Sequence, residues 1–174
     1  TAINTNGLYI NNEKIQELLE YLKDLQDGDY LVLSGSIPNG VDKTVYKKIV
    51  AAVADKDIKV IVDAEKDLLL GTLSYHPYLI KPNLQELEDI AGRSLSTESD
   101  IYKEACKLIE KGALNVLVSL GEKGILYVSN DLSKIYLPSI DVNVINTTGA
   151  GDSLVAGVLA GVVQNKSLID SLKL

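Results

Sequence analysis

An acid stands directly behind a glycine-rich turn in Gly149-Ala150-Gly151-Asp152, inside the longer segment Asn146-Thr147-Thr148-Gly149-Ala150-Gly151-Asp152-Ser153. The valine-rich run 141–145 leads in, and the apolar, helix-spaced run 154–161 leads out. A glycine turn that joins a strand to a helix gathers backbone N–H groups at the positive end of the helix dipole, a natural seat for an anion. A carboxylate in that seat repels a phosphate unless it has chemistry of its own to do. The pair suits transfer of a phosphoryl group to a hydroxyl: the carboxylate takes the hydroxyl proton and the amides hold the developing charge. The plainer alternative is a tight turn followed by an acid that favours the helix dipole. The residues alone leave these two readings level. A dinucleotide fingerprint fails because Leu154 stands where the third glycine belongs, and a P-loop fails because no Gly-Lys-Ser/Thr occurs.

Such a turn needs a sheet and helices to carry it. Apolar runs at 30–33, 59–62, 78–80 and 115–118 read as buried strands. Amphipathic stretches at 12–26, 43–55, 83–91 and 97–111 read as helices, with Ile15, Leu18, Leu19, Leu22 and Leu25 at helical spacing in the first. Residues 124–128 and 134–137 predict a hairpin around Asn130-Asp131. Alternation of strands and helices, with continuously apolar strands, predicts an α/β fold with a mostly parallel sheet. No repeat or long linker interrupts the pattern, so residues 1–174 read as one domain.

In an open parallel sheet, ligands collect beyond the carboxyl ends of the strands. The residues that follow the predicted strands are Ser34-Gly35-Ser36-Ile37-Pro38, Asp63-Ala64, Lys81-Pro82-Asn83 and Ser119-Leu120-Gly121, together with the glycine turn. Glycine, small hydroxyls, lysine, asparagine and aspartate at five strand ends suit a phosphate-handling rim. Taken singly, Lys81 also fits an exposed lysine before proline, and Ser119, Gly121, Lys123 and Gly124 fit a plain turn into the hairpin. Asn83 and Glu86 share a helix face and fit a capping box, which is the favoured reading of that pair in isolation. Asp63 ends a strand at the same rim, and its role stays open. His76, before Pro77 in a loop, reads as structural or solvated. Cys106 reads as a buried small hydrophobe on the apolar side of a helix.

The bulk composition narrows the partners. The net charge of -7 argues against non-specific nucleic-acid binding, which needs a basic surface. The 46% hydrophobic content suits a real core, yet no run approaches the length of a membrane span or resembles a signal peptide. A single cysteine allows no internal disulfide, and a cytoplasmic protein is the simple expectation.

Four segments in order resemble the ribokinase / phosphofructokinase-B carbohydrate kinases: Gly35-Ser36-Ile37-Pro38, then 79–87 with its Lys81-Pro82-Asn83, then 118–124, then 146–153. The resemblance covers nearly the whole chain and implies a ribokinase-like α/β/α fold. It implies an ATP-dependent kinase that uses magnesium and acts on a small sugar phosphate, with fructose 1-phosphate converted to fructose 1,6-bisphosphate. Tagatose 6-phosphate or another alcohol is the alternative acceptor. By position it makes Asp152 the base, and Gly149, Ala150 and Gly151 the anion hole. It places Lys81, Asn83, Glu86, Ser119, Gly121, Lys123 and Gly124 on the nucleotide side, with Asn83 and Glu86 organising magnesium through water. It puts Gly35 and Ser36 near the sugar phosphate, and a homodimer of the longer protein is among the partners it implies.

Two departures qualify the match. Residues 1–8 resemble the family's TEIN-x-x-GP element, but Ala2 and Leu8 replace its Glu and Pro. Ala64-Glu65-Lys66 follow Asp63 where the family has small hydroxyls and glycine. The family's opening strands, lid and sugar-contacting acid have no counterpart here, and relatives continue past the last helix. The chain, which has no Met, is therefore expected to be the central and C-terminal part of a larger kinase, and a nucleotide-binding piece without turnover is the expectation from another functional class.

Overall fold

The computed structural model describes residues 9–139 and 149–173. The strand expected at 141–145, the residues Asn146, Thr147 and Thr148, and the opening segment 1–8 lie outside the described residues. The described residues fall into two compact units, divided between Pro138 and Ser139.

The first unit is built on a six-stranded sheet whose order in space is its order in the chain. The strands are β1 (Tyr30–Ser34), β2 (Lys59–Asp63), β3 (Leu79–Ile80), β4 (Asn115–Ser119), β5 (Ile125–Ser129) and β6 (Lys134–Leu137). The first four run parallel, as expected; β5 and β6 form the expected hairpin and run antiparallel to their neighbours. The three central residues of β2 and of β4 are all buried, so both faces of these strands are covered and a continuous apolar run is what they need. β1 alternates at the sheet edge: Leu33 is buried, whereas Val32 and Ser34 are exposed.

Helices α1 (Asn12–Tyr21), α2 (Val45–Ala52), α3 (Lys66–Leu70), α4 (Leu84–Ala91) and α5 (Glu98–Glu110) fill the connections. α1 ends earlier than its apolar spacing predicts. The Asp29 carboxylate accepts the Gln26 N–H at 2.8 Å, Leu25 is extended, and a short 3-10 turn at Leu22–Asp24 closes the helix. α2 starts late because the Asp42 carboxylate accepts the Thr44 N–H at 2.6 Å and folds a turn ahead of it. α3 is an element the periodicity did not show, being too short for a helical repeat to register. The core joins Val62, Ile80, Val116, Val118 and Val128 of the sheet to Leu87 of α4 and Leu108 of α5, each with no exposed surface. Each such side chain contributes about 1.5–3 kcal/mol relative to an exposed one. Cys106 is only partly buried against this core, less than its apolar helix face suggested. His76 is exposed, adopts a left-handed conformation, and places Nδ1 3.1 Å from the Gly112 carbonyl.

The second unit contains α6 (Ala150–Val163) and α7 (Leu168–Ser171). Val155, Val158 and Val162 are its buried apolar positions. Gly161 lets the two helices touch: a Cβ there would run into Ser171 Oγ and lie 2.8 Å from the Ser171 Cα. Among the described residues, no helix is long and apolar enough to cross a membrane.

Candidate functional site

Register brings the strand ends of the first unit to one edge. Ser34 pairs with Asp63, Val62 with Ile80, and Ile80 with Val116. The Lys81 N–H donates to the Val62 carbonyl at 2.9 Å, and the Ser119 N–H donates to the Pro82 carbonyl at 3.1 Å. Asn83 is bridged to Ser119 in parallel register. Four of the five strand ends expected at the rim thus form a continuous row in this unit, from Gly35 through Asp63 and Lys81 to Asn83 and Ser119; the fifth, the glycine turn, belongs to the other unit.

Lys81 is not the exposed lysine that its place before a proline allows. Its side chain is 5% exposed, and Nζ lies 3.0 Å from Asp63 Oδ1, in a carboxylate that is itself 14% exposed. An ammonium so far removed from water needs a counter-charge to offset its lost hydration. Asp63 supplies it, which gives a partner to a residue the sequence left open. On its main chain, the Asp63 carbonyl accepts the Gly35 N–H at 3.1 Å. The buried Tyr46 of α2 donates its hydroxyl to the Gly35 carbonyl at 3.0 Å. Sequence reasoning missed both contacts, since they join residues 11 and more positions apart. Gly35 takes φ +89° at the turn, a conformation that L side chains rarely adopt, and Ser36 beside it is exposed.

Asn83 and Glu86 do form a capping box at the start of α4. The Asn83 side chain accepts the Glu86 N–H at 2.9 Å, and the Glu86 carboxylate accepts the Asn83 N–H at 2.8 Å through Oε2. The local reading of this pair therefore holds, and Glu86 Oε1 is not used by the box. Burial pushes the Glu86 carboxyl up, and the charges of Asp63 and Glu65 add to this; the Asn83 N–H and Lys81 act against it. Such a carboxylate gains from a nearby cation. Among the described residues, no three His, Cys, Asp or Glu side chains converge on one point.

The loop after β4 is a compact turn. A 3-10 turn at Gly121–Lys123 has Gly121 at φ +61° and leads into Gly124 at φ +95°. The Leu120 N–H donates to the Gly124 carbonyl at 2.8 Å, the Gly124 N–H donates to the Gly121 carbonyl at 3.0 Å, and the Tyr136 hydroxyl binds the Lys123 carbonyl. Lys123 is exposed, whereas Gly124 is buried.

In the second unit, Gly149 sits in the left-handed region at φ 82° as the residue before α6, and as a glycine it has no side chain with which to cap that helix. The N-caps of α1, α4, α5 and α7 are Asn11, Asn83, Thr97 and Ser167, each with a side chain accepting a backbone N–H. A Cβ on Gly149 would meet nothing within 4 Å, so backbone conformation and not space asks for glycine. Asp152 lies exposed in the first turn of α6, and the Ser153 N–H makes the first bond back, to the Gly149 carbonyl at 2.9 Å. The turn expected at 149–152 is therefore a glycine-entered helix start.

The chain is similar to known proteins. The family model described as pfkB family carbohydrate kinase matches residues 1–174. The chain is 34% identical to 1-phosphofructokinase of Bacillus subtilis over 100% of its own length and 57% of the relative's. It is 36% identical to D-tagatose-1-phosphate kinase of Bacillus licheniformis over 86% of its length and 49% of the relative's. Its fold superposes on phosphofructokinase-2 from Escherichia coli in complex with fructose-6-phosphate with a TM-score of 0.88 at 30% identity, covering 97% of this chain and 55% of that one. The chain thus spans about half the length of the curated relatives it matches.

Proposed function

The chain belongs to the pfkB family of carbohydrate kinases, and on that premise we propose that the whole protein moves the terminal phosphoryl group of ATP to a hydroxyl of fructose 1-phosphate, giving fructose 1,6-bisphosphate. The observation that carries this reading is the rim itself: a buried lysine, a capped Asn/Glu pair and two glycine turns come out at one edge of a parallel sheet, where such folds bind ligands. The acceptor follows from likeness to a relative named 1-phosphofructokinase. D-tagatose 1-phosphate is the second acceptor to weigh, because a relative named for that substrate is 36% identical.

In this reading Asp152 takes the proton from the acceptor hydroxyl as its oxygen attacks the phosphorus. The amides at the start of α6 hold the charge that develops on the phosphoryl oxygens. Gly149 suits this task because it has no side chain of its own to cap them. Lys81 meets the nucleotide phosphates as a point charge. Ser119, Gly121, Lys123 and Gly124 border the nucleotide, and Gly35 and Ser36 border the sugar phosphate. Asn83 and Glu86 suit a magnesium ion held through water, which would neutralise phosphate charge when bound.

Side-by-side coupled assays of the whole protein on fructose 1-phosphate, D-tagatose 1-phosphate and fructose 6-phosphate test the assignment. The highest kcat/KM is expected on fructose 1-phosphate. Preference for D-tagatose 1-phosphate would replace the acceptor and keep the chemistry, and no turnover on any of the three would overturn the sugar-phosphate reading.

A further inference from the structure

We infer that Asp63 is a positioning residue that sets the two sides of the rim against each other, aiming Lys81 with its carboxylate while its main chain and Tyr46 hold the Gly35 turn. The inference rests on the kinase reading above for what each side binds. Its ground is geometric. Asp63 Oδ1 lies 3.0 Å from Lys81 Nζ, with the two side chains 14% and 5% exposed. The same residue's carbonyl accepts the Gly35 N–H at 3.1 Å, and the Tyr46 hydroxyl takes the Gly35 carbonyl at 3.0 Å. Gly35 is therefore gripped at both its donor and its acceptor. Burial and then the Asp63 charge push the Tyr46 hydroxyl up, so this carboxylate is felt at Tyr46 as well as at Lys81.

A buried ion pair is a poor stability device, since an apolar pair of similar volume often serves as well or better. What it does is fix a charge in one place. Here the fixed charge is the lysine on the nucleotide side. The residue that fixes it also carries the hydrogen bond that shapes the turn on the sugar side. A shift on one side is thereby transmitted through a single residue to the other.

The test measures kcat and KM for both substrates, and Mg-ATP affinity by calorimetry, in the whole protein. Asp63→Asn and Lys81→Met should each weaken Mg-ATP binding by roughly 10- to 100-fold. The double variant should be no worse than Lys81→Met alone, because Asp63 acts through the lysine. Asp63→Glu, which keeps the charge, should recover part of the loss. Tyr46→Phe should raise KM for the sugar phosphate by about 2- to 10-fold, well beyond its effect on Mg-ATP affinity. Losses that multiply in the double variant, or wild-type Mg-ATP affinity in Asp63→Asn alongside an impaired Lys81→Met, would sink the inference and leave the kinase reading standing. A Lys81→Met variant with unaltered nucleotide binding would remove the lysine from the phosphate side and take this inference with it. Should Asp63→Asn fail to fold, Lys81→Met is compared directly with the double variant, which holds no unpaired charge: equal losses support the coupling and a further loss overturns it.

Discussion

Asp152 and Glu86 are both acids at helix starts, and their surroundings separate them. Glu86 is tied into a capping box and partly buried, whereas Asp152 is exposed behind a glycine that enters its helix. If Asp152 is the base, Asp152→Asn keeps the shape and removes the proton acceptor. Turnover should fall by roughly two to four orders of magnitude with little change in Mg-ATP affinity; near-normal turnover would take the base away from Asp152. Glu86 gives a sharper contrast. Its carboxyl is raised chiefly by burial. A carboxyl raised in the fold costs stability where it is ionised, so its contribution is most favourable below the usual carboxylate range and is lost as pH rises through the folded pKa. Glu86→Gln keeps an acceptor for the Asn83 N–H and drops the charge. At neutral pH the variant should unfold no earlier than wild type, while the magnesium needed for half-maximal rate should rise by about 10-fold or more. An unchanged magnesium requirement would leave Glu86 as a helix cap alone.

At the scale of elements, the described strands and most described helices were legible because each is a run of apolar residues with a clear period. β2 and β4 show it best, as three buried residues in a row. Helix ends were less legible, since a side chain can take a backbone donor before the apolar period stops, as Asp29 does after α1. The Lys81–Asp63 pair was illegible for a different reason: it depends on which residues of separate strands stand side by side, and apolar spacing says nothing about register. The β5–β6 turn offers a test of local chemistry. Asp131 is held down to about 2, first by the Ser129 hydroxyl and then by the Ser133 N–H and hydroxyl. A lowered carboxyl contributes stability above its unfolded value of 3.8 and loses it as pH falls through the folded value of about 2. Asp131→Asn should therefore flatten the loss of stability across that acid window, read from urea midpoints at each pH. In the second unit, Gly161→Ala would press a Cβ into Ser171, including its backbone Cα at 2.8 Å. The cost should be about 1–3 kcal/mol of that unit's stability, and proteolysis near α7 should report it.

For the molecule as a whole, burial separates the positions that matter to folding from those that do not. Leu117 has no exposed surface and sits in β4, whereas Leu18 of α1 is 40% exposed. Leu117→Ala should cost about 2–5 kcal/mol, and Leu18→Ala should stay within about 0.5 kcal/mol, both by urea denaturation. Equal costs would mean that the sheet is not the centre of stability. The sheet has a further property, which concerns time. Its six strands lie side by side in the order in which they are synthesised. Among the described strands, each finds the preceding one already made as it leaves the ribosome, and none of these pairings waits for a later stretch of chain. Long-range pairing is the slow and aggregation-exposed step for parallel sheets. A sheet laid down in sequence shortens that step, and its growing edge is covered at each stage by the next strand to emerge.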